Sequence, residues 1–291
     1  MSERASEPSA QRERASEPSA QRERASEPSA QRESASEPSA QREKLETVGG
    51  RSVLTMERRL RHAPEKVWRA VTEPERLADW FPAAMTPDLR VGGVVEFEFG
   101  ADGTVTDLDP PRLFAYTWDD QHLRWELHPD GAGTRLVLVV TFTDRPGAAS
   151  FASGWHVCIA ALDLALDGRP GTDPGVDHVA LHEKFVVQFG LDAGSAETTA
   201  DGWRVRYERQ LTRPADEVWA VLSAQAPPGA LRDGDVLEHD AEAGSRLRWE
   251  LTEGTGHGAR VVLTHVGTGG DPQPALAAGG ARIEKLLAAL S

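Results

Sequence analysis

The sequence predicts an α+β fold made twice in tandem, each time as a meander of antiparallel strands with a long apolar-faced helix lying across it. Two observations carry that expectation. Between Val95 and Phe142 apolar residues alternate with period two, and from Trp155 the spacing becomes helical, with Trp155, Ile159, Leu162 and Leu166 on one face. In addition, two blocks of sequence recur in the same order in the two halves of the chain.

The elements follow in order. Leu54 to Arg61 reads as an opening strand, and Pro64 with Glu65 suits the first turn of a helix. Val67, Ala70 and Val71 give that helix a core-facing stripe. A short helical stretch covers Arg76 to Phe81, and Gly92-Gly93 is turn chemistry. After it Val95, Phe97 and Phe99 alternate with Glu96 and Glu98, a strand with one face inward from Val94 to Phe99. Phe114, Tyr116 and Trp118 share a face of the next strand; Leu123, Trp125 and Leu127 share another. Leu136, Leu138, Val140 and Phe142 complete the meander. The long helix begins near Ser153 and ends at Gly168 and Pro170. It has to lie across the sheet, because each buries its apolar face on the other.

The duplication rests on particular residues. Glu57-Arg58 precedes Val67-Trp68 at the same offset as Glu208-Arg209 precedes Val218-Trp219. Leu123-Arg124-Trp125-Glu126-Leu127 returns letter for letter at Leu247 to Leu251. Trp68 and Trp125 are 57 positions apart, Trp219 and Trp249 only 30, so the second copy is 27 residues shorter. A loss of that size removes one or two strands of about 5–6 residues with their connections. The second copy is therefore not expected to enclose a full cavity.

Composition sets the outer bounds. The chain has 291 residues, 39% of them hydrophobic, and a formal net charge of −14. Such a charge disfavours broad attraction to nucleic acid or anionic membrane. No apolar run approaches the roughly 18 residues of a membrane span, and the Arg/Glu-rich start is not a secretory signal. Cys158 is the single cysteine, which excludes an intramolecular disulfide and a CxxC motif and fits a reducing cytoplasm. Residues 4–43 repeat the decapeptide RASEPSAQRE, with Pro8, Pro18, Pro28 and Pro38 interrupting any helix. With no large apolar residue to bury, that tail is expected to stay disordered, either a neutral expansion or a spacer. The expected organisation is a disordered repeat at 1–50, a complete domain at 51–170, a helical tail and linker at 171–201, and a shortened domain at 202–291.

The order Ala63-Pro64-Glu65-Lys66-Val67-Trp68, Thr72 to Leu77, Trp80-Phe81, Gly92-Gly93, Thr134-Arg135-Leu136 and Gly154-Trp155 resembles the SRPBCC (START-like) superfamily. Within it the run is similar to homologues of the heat-shock-protein-90 ATPase activator, over about residues 53–168. Leu181-His182-Glu183-Lys184-Phe185 resembles a C-terminal tail of some bacterial members. The resemblance implies a helix-grip fold, a curved antiparallel sheet wrapped around the long C-terminal helix, often with an apolar cavity between them. Relatives include lipid carriers, aromatase/cyclases and chaperone activators, so the fold alone fixes no activity. The second copy departs from the pattern, lacking the Trp-Phe pair, the Gly-Gly strand and a Gly-Trp helix start.

On that basis Trp80, Phe97, Phe99, Tyr116, Trp118, Trp125, Phe142, Trp155 and Ile159 are the candidate ligand-binding residues. The competing reading is ordinary core, since aromatic stripes are mostly packing. His178 and His182 share a helix face if residues 176–189 are helical; a solvated face is favoured over a metal site because no third ligand is evident. Cys158 reads as a small buried hydrophobe, with no base assigned to it. The glycines at 254–258 and 267–270 read as turns, since neither stretch opens a helix with Lys-Ser/Thr. No GxSxG element is present. The expected function is binding of a small hydrophobic molecule in the first domain, without catalytic residue, cofactor or metal. A chaperone-type protein partner is the alternative, and an aromatase/cyclase-like enzyme using Tyr116 and His128 a third.

Overall fold

The structure, a computed structural model, describes residues 42–100, 102–256 and 258–291. The decapeptide repeats up to Gln41 lie outside the described residues. Strands β1 (Arg42–Val48) and β2 (Arg51–Leu60) form a hairpin whose turn is Gly49-Gly50. Both glycines have left-handed φ, 58° and 80°, as a two-residue turn that matches strand twist requires. β1 corrects the expected boundary at residue 50. Its residue Leu45 packs on the core, and pairing with β2 supplies the rest of its order.

From there the first domain follows the expected sequence. Helices α1 (Pro64–Thr72) and α2 (Pro74–Leu77) precede β3 (Met85–Pro87) and β4 (Val94–Phe97). Then come β5 (Gly103–Asp109), β6 (Leu113–Trp118), β7 (Gln121–Asp130) and β8 (Gly133–Phe142). The eight strands form one antiparallel sheet in the order β1-β2-β8-β7-β6-β5-β4-β3. Leu54, Met56 and Leu60 of β2 face the same side as Trp125 of β7 and Leu138 of β8, which are register partners. Each fully buried large side chain of this set contributes about 1.5–3 kcal/mol.

Helix α3 (Ala148–Leu166) closes that face with Trp155, Ile159, Leu162 and Leu166 buried. It starts five residues before the expected Ser153. Ala148, Ala149 and Ala152 are buried there too, and small side chains give little periodic signal. Among the described residues α3 is the one helix long and apolar enough to cross a membrane by length and composition. This corrects the expectation that no run comes close, and its face on the sheet accounts for that composition. Helix α4 (His178–Gln188), capped by the Asp177 carboxylate accepting from the Ala180 N–H at 3.0 Å, packs Phe185 and Val186 into the same core.

The second sheet begins at β9 (Ser195–Thr199), inside the stretch expected to be linker, and pairs it with β10 (Gly202–Gln210). Helix α5 (Ala215–Gln225), β11 (Leu231–Asp233), β12 (Val236–Asp240), β13 (Arg246–Glu253), β14 (Ala259–Gly267) and α6 (Gln273–Leu290) follow. The order is β11-β12-β13-β14-β10-β9. Followed from the hairpin, the two sheets take the same path, and the second has no strands in the places of β3 and β4. Each sheet has its own hydrophobic cluster.

Both lie within one compact unit. Polar contacts join them. The Asp144 carboxylate accepts from the Thr255 hydroxyl and from Arg260 Nη2 at 2.5 Å, and buried Arg209 donates to Glu183. Gly147 sits at this joint, where an added Cβ would collide with the Asp144 carboxylate and Thr255.

Candidate functional site

Pairing of β6 with β7 sets the site. Phe114 lies opposite Trp125 and Tyr116 opposite Leu123, so alternation turns Phe114, Tyr116, Leu123 and Trp125 toward α3. Above them Trp80, brought by the turn after α2, donates its indole N–H to the Ala70 carbonyl at 2.9 Å. Its ring meets Trp125 edge-on at 5.6 Å, and Trp125 meets Trp155 at the same separation. Phe97 stacks on Trp118 at 5.0 Å. These spacings are those of direct aromatic contact.

The structure thus brings together Trp80, Phe97, Tyr116, Trp118, Trp125 and Trp155. Phe81 belongs with them, 5.4 Å from Trp118 and 5.8 Å from Trp155. The Trp-Phe pair at 80–81 carries that signal, and the sequence-based set includes only its first member. Phe99 joins them at the exposed edge, stacked on Phe97 at 5.7 Å and on Trp118 at 6.0 Å, and is 55% exposed because β4 stops at Phe97 and residues 98–99 turn toward Gly100. Two candidates fall elsewhere. Phe142 pairs with Phe151 at 4.4 Å, and Ile159 lines a separate pocket.

At the rim of the aromatic group is a cleft of about 370 Å³ with largely apolar walls, among them Pro82, Trp118, Phe151, Trp155 and Cys158. Thr255 and Gly256, from the turn between β13 and β14, close one side. Tyr116 lies one alternate position behind Trp118 on β6, fully buried; its hydroxyl makes no well-formed hydrogen bond, although the Trp125 indole stands close enough to act on it. Burial pushes its pKa far up; the nearby Trp125 indole opposes the rise and the Cys158 thiol adds to it. At neutral pH this group is a hydrogen-bond donor. Burial also pushes the Cys158 thiol up to about 11, so it is protonated there.

A second pocket of about 290 Å³ opens on the opposite flank of α3, lined by Arg58, His156, Ile159 and Asp163 among others. Arg58 points inward from β2 and donates to Glu43, with His156 Nδ1 3.0 Å from Arg58 Nη2. Burial works to raise the Glu43 carboxyl, but the His156 hydrogen bond and the Arg58 charge outweigh it and hold it below its usual range. Asp163 is raised by burial and by Asp167.

The remaining candidates separate. His128 lies on the face of β7 away from the core, 3.2 Å from Glu126, so it does not converge with Tyr116. His182 is fully buried beside Glu183, which corrects the expectation of a solvated face. The α4 pattern hid this, because His182 lies on the same face as Phe185 and Val186. Among the described residues no group of three or more His, Cys, Asp or Glu side chains is placed to hold a metal.

A single antiparallel sheet folded on one long helix, with an apolar cleft at the edge between them, places the first domain in the helix-grip class of α+β proteins. Within that class residues 61–167 match the family of activator of Hsp90 ATPase homolog 1-like proteins. No curated protein matches the chain. Solved structures similar to it include a conserved protein of unknown function from Enterococcus faecalis, at 19% identity and a TM-score of 0.46, covering 50% of this chain and 89% of that one. CalU16 from Micromonospora echinospora is similar at 19% identity and 0.43, covering 53% and 97%. DynU16, of the dynemicin biosynthetic locus, is similar at 18% identity and 0.39, covering 82% and 97%.

Proposed function

We propose that the first domain binds a small, largely apolar molecule carrying one hydrogen-bond acceptor, in the cleft bounded by Trp118, Trp155 and Cys158. One observation carries this reading: beside an apolar cleft of about 370 Å³ a fully buried Tyr116 hydroxyl makes no well-formed hydrogen bond, with Cys158 of the cleft wall and the Trp125 indole close to it. An unpaired buried hydroxyl costs about 1–3 kcal/mol, which a ligand acceptor would recover. Apolar pockets with a few placed polar groups are the usual form of small-molecule sites. Entry to Tyr116 requires the Trp118 and Trp155 rings to shift, since they line the cleft in front of it. In this reading the sheets are two copies of one domain, at 51–170 and 202–291 with the β1 and β9 hairpins added, and the protein works in the cytoplasm.

The test uses the intact chain with 2-naphthol, an aromatic that fits the volume and carries one oxygen, against naphthalene. 2-Naphthol is expected to raise the melting temperature, to protect Cys158 from a thiol reagent, and to bind more tightly than naphthalene. Unchanged melting and unprotected Cys158 with both compounds would end the small-molecule reading. The matched family's description, an activator of Hsp90 ATPase homolog, then favours a chaperone-type partner, read out by retention of an Hsp90 on the immobilised chain.

A further inference from the structure

The second sheet has no counterpart of α2, β3 and β4, and that loss leaves a hole. In the first domain Trp80 covers Trp125 at 5.6 Å. Trp249 holds the register place of Trp125, opposite Leu237 as Trp125 is opposite Phe114, but no Trp-Phe pair follows α5 to cover it. A pocket of about 170 Å³ stands there instead, walled by Leu222, Leu237, Trp249 and Leu286.

Its charged side chains carry one sign, with Gln225 a neutral neighbour. Arg282 and Lys285 from α6 and His239 from β12 line it. His239 lies opposite Leu247 as Tyr116 lies opposite Leu123, so it takes the register place of the buried hydroxyl in the first domain. Among the described residues no carboxylate comes within 4.0 Å of Arg282 or Lys285, and Arg282 Nη1 is buried without a hydrogen-bond partner. The field reaches further in: His265 is lowered by burial, then by the charges of Arg282 and His239. In a chain of net charge −14, Arg282 is half-buried and unpaired at this pocket, while Lys285 is exposed at its mouth. A guanidinium with free N–H groups beside apolar walls matches a carboxylate on a small hydrophobic body.

From this geometry we infer that the second domain is a separate binding site for a small amphipathic carboxylate, its apolar part on Trp249 and Leu237 and its carboxylate on Arg282, with Lys285 at the mouth. The shortened copy is then a binding module with a different specificity, in which a cation replaces the neutral hydroxyl of the first.

Phenylacetate and its neutral analogue phenylacetamide test this on the full chain labelled with ¹⁵N-tryptophan, Trp249→Phe assigning the Trp249 indole signal. Phenylacetate is expected to shift that signal saturably and to bind about tenfold or more tightly than phenylacetamide. Arg282→Met is expected to remove the difference, Arg282→Lys to keep part of it, and Tyr116→Phe to leave it unchanged. Arg282 has no partner to strand, so its loss is not expected to unfold the domain. Equal binding of the two compounds, a Trp249 signal that does not move, or full phenylacetate affinity in Arg282→Met would overturn the inference. None of these outcomes bears on 2-naphthol in the first cleft.

Discussion

Tyr116→Phe removes one oxygen from the interior and leaves the ring where it is, between Phe114 at 4.9 Å and Phe97 at 6.4 Å. In most cores this change costs a hydrogen bond. Here the hydroxyl is fully buried and makes no well-formed bond, only a poor approach to the Trp125 indole, so the wild-type protein carries most of a desolvation cost of about 1–3 kcal/mol that the variant sheds. The space vacated is that of a single atom, and the dispersion attraction which that atom made to its neighbours offsets part of the gain. The expected net effect is a stabilisation of about 1 kcal/mol in the ligand-free chain, a rise in melting temperature of about 2–4 °C for a unit of this size. Urea unfolding followed by far-UV circular dichroism measures it. Leu123→Ala, at the register partner of Tyr116, should in the same assay cost about 2–5 kcal/mol and shows that the probe reports on this core. The variant is also expected to lose the preference for 2-naphthol over naphthalene. A destabilisation of about 1 kcal/mol or more in ligand-free Tyr116→Phe would refute the reasoning, since the hydroxyl would then be holding a partner such as a buried water.

At the joint between the sheets, Arg209 is 4% exposed and Glu183 is 41% exposed. Glu183→Gln strands a buried guanidinium and is expected to cost about 2–3 kcal/mol, whereas Arg209→Met frees a carboxylate that water can reach and should cost under about 1 kcal/mol; the reverse order in urea unfolding would sink the argument. Stability against pH should separate two carboxyls near α3. Glu43 titrates below its ordinary 4.5, so its contribution is fully present above that value and is lost as the pH falls through the lower folded value, and Glu43→Gln should weaken the protein at pH 7. Asp163 is raised above 3.8, so its ionisation costs stability as the pH rises, and Asp163→Asn should strengthen the protein at pH 7. The Asp163 difference should fade as the pH falls below its ordinary 3.8, the Glu43 difference only as the pH falls through its depressed folded value, and substitutions of equal sign at pH 7 would contradict the assignment.

How much of this was legible in the sequence depended on whether side chains were large and periodic. The meander from β6 to β8 and the face of α3 were, because Trp125, Leu138 and Trp155 alternate or recur at spacings only one geometry explains. The β1 and β9 hairpins were not, since REKLETV and SAETT carry at most one large apolar residue and are ordered chiefly by pairing with a neighbour. Phe99 keeps its place against Phe97 and Trp118 but is more exposed than alternation implies, because alternation cannot see where a strand stops; β4 gives way to a turn two residues early. His182 was misplaced for the opposite reason, a polar residue buried at a joint the sequence does not reveal. The Tyr116 hydroxyl and the unpaired Arg282 were out of reach, because lacking a partner is a property of the packed interior.

The two interiors explain each other. They share the Leu-Arg-Trp-Glu-Leu strand, so Trp125 and Trp249 stand on equivalent floors, yet one is roofed by Trp80 and the other opens to a pocket. The roof comes from the segment at 74–97 that only the first sheet possesses, three short elements around a Trp-Phe pair. Carrying it, the first domain fills its centre with rings and confines its opening to the rim, where the polar groups within reach are neutral at pH 7. Without it, the second domain keeps a pocket of about 170 Å³ against the buried Trp249, and the cations of α6 stand at its edge. The absence of that segment from the second sheet therefore places its pocket against the floor instead of at the rim and changes the charge beside it. With an acceptor-bearing apolar molecule in the first cleft and a carboxylate in the second, as proposed, the tandem offers two small-molecule sites of different chemistry on one scaffold.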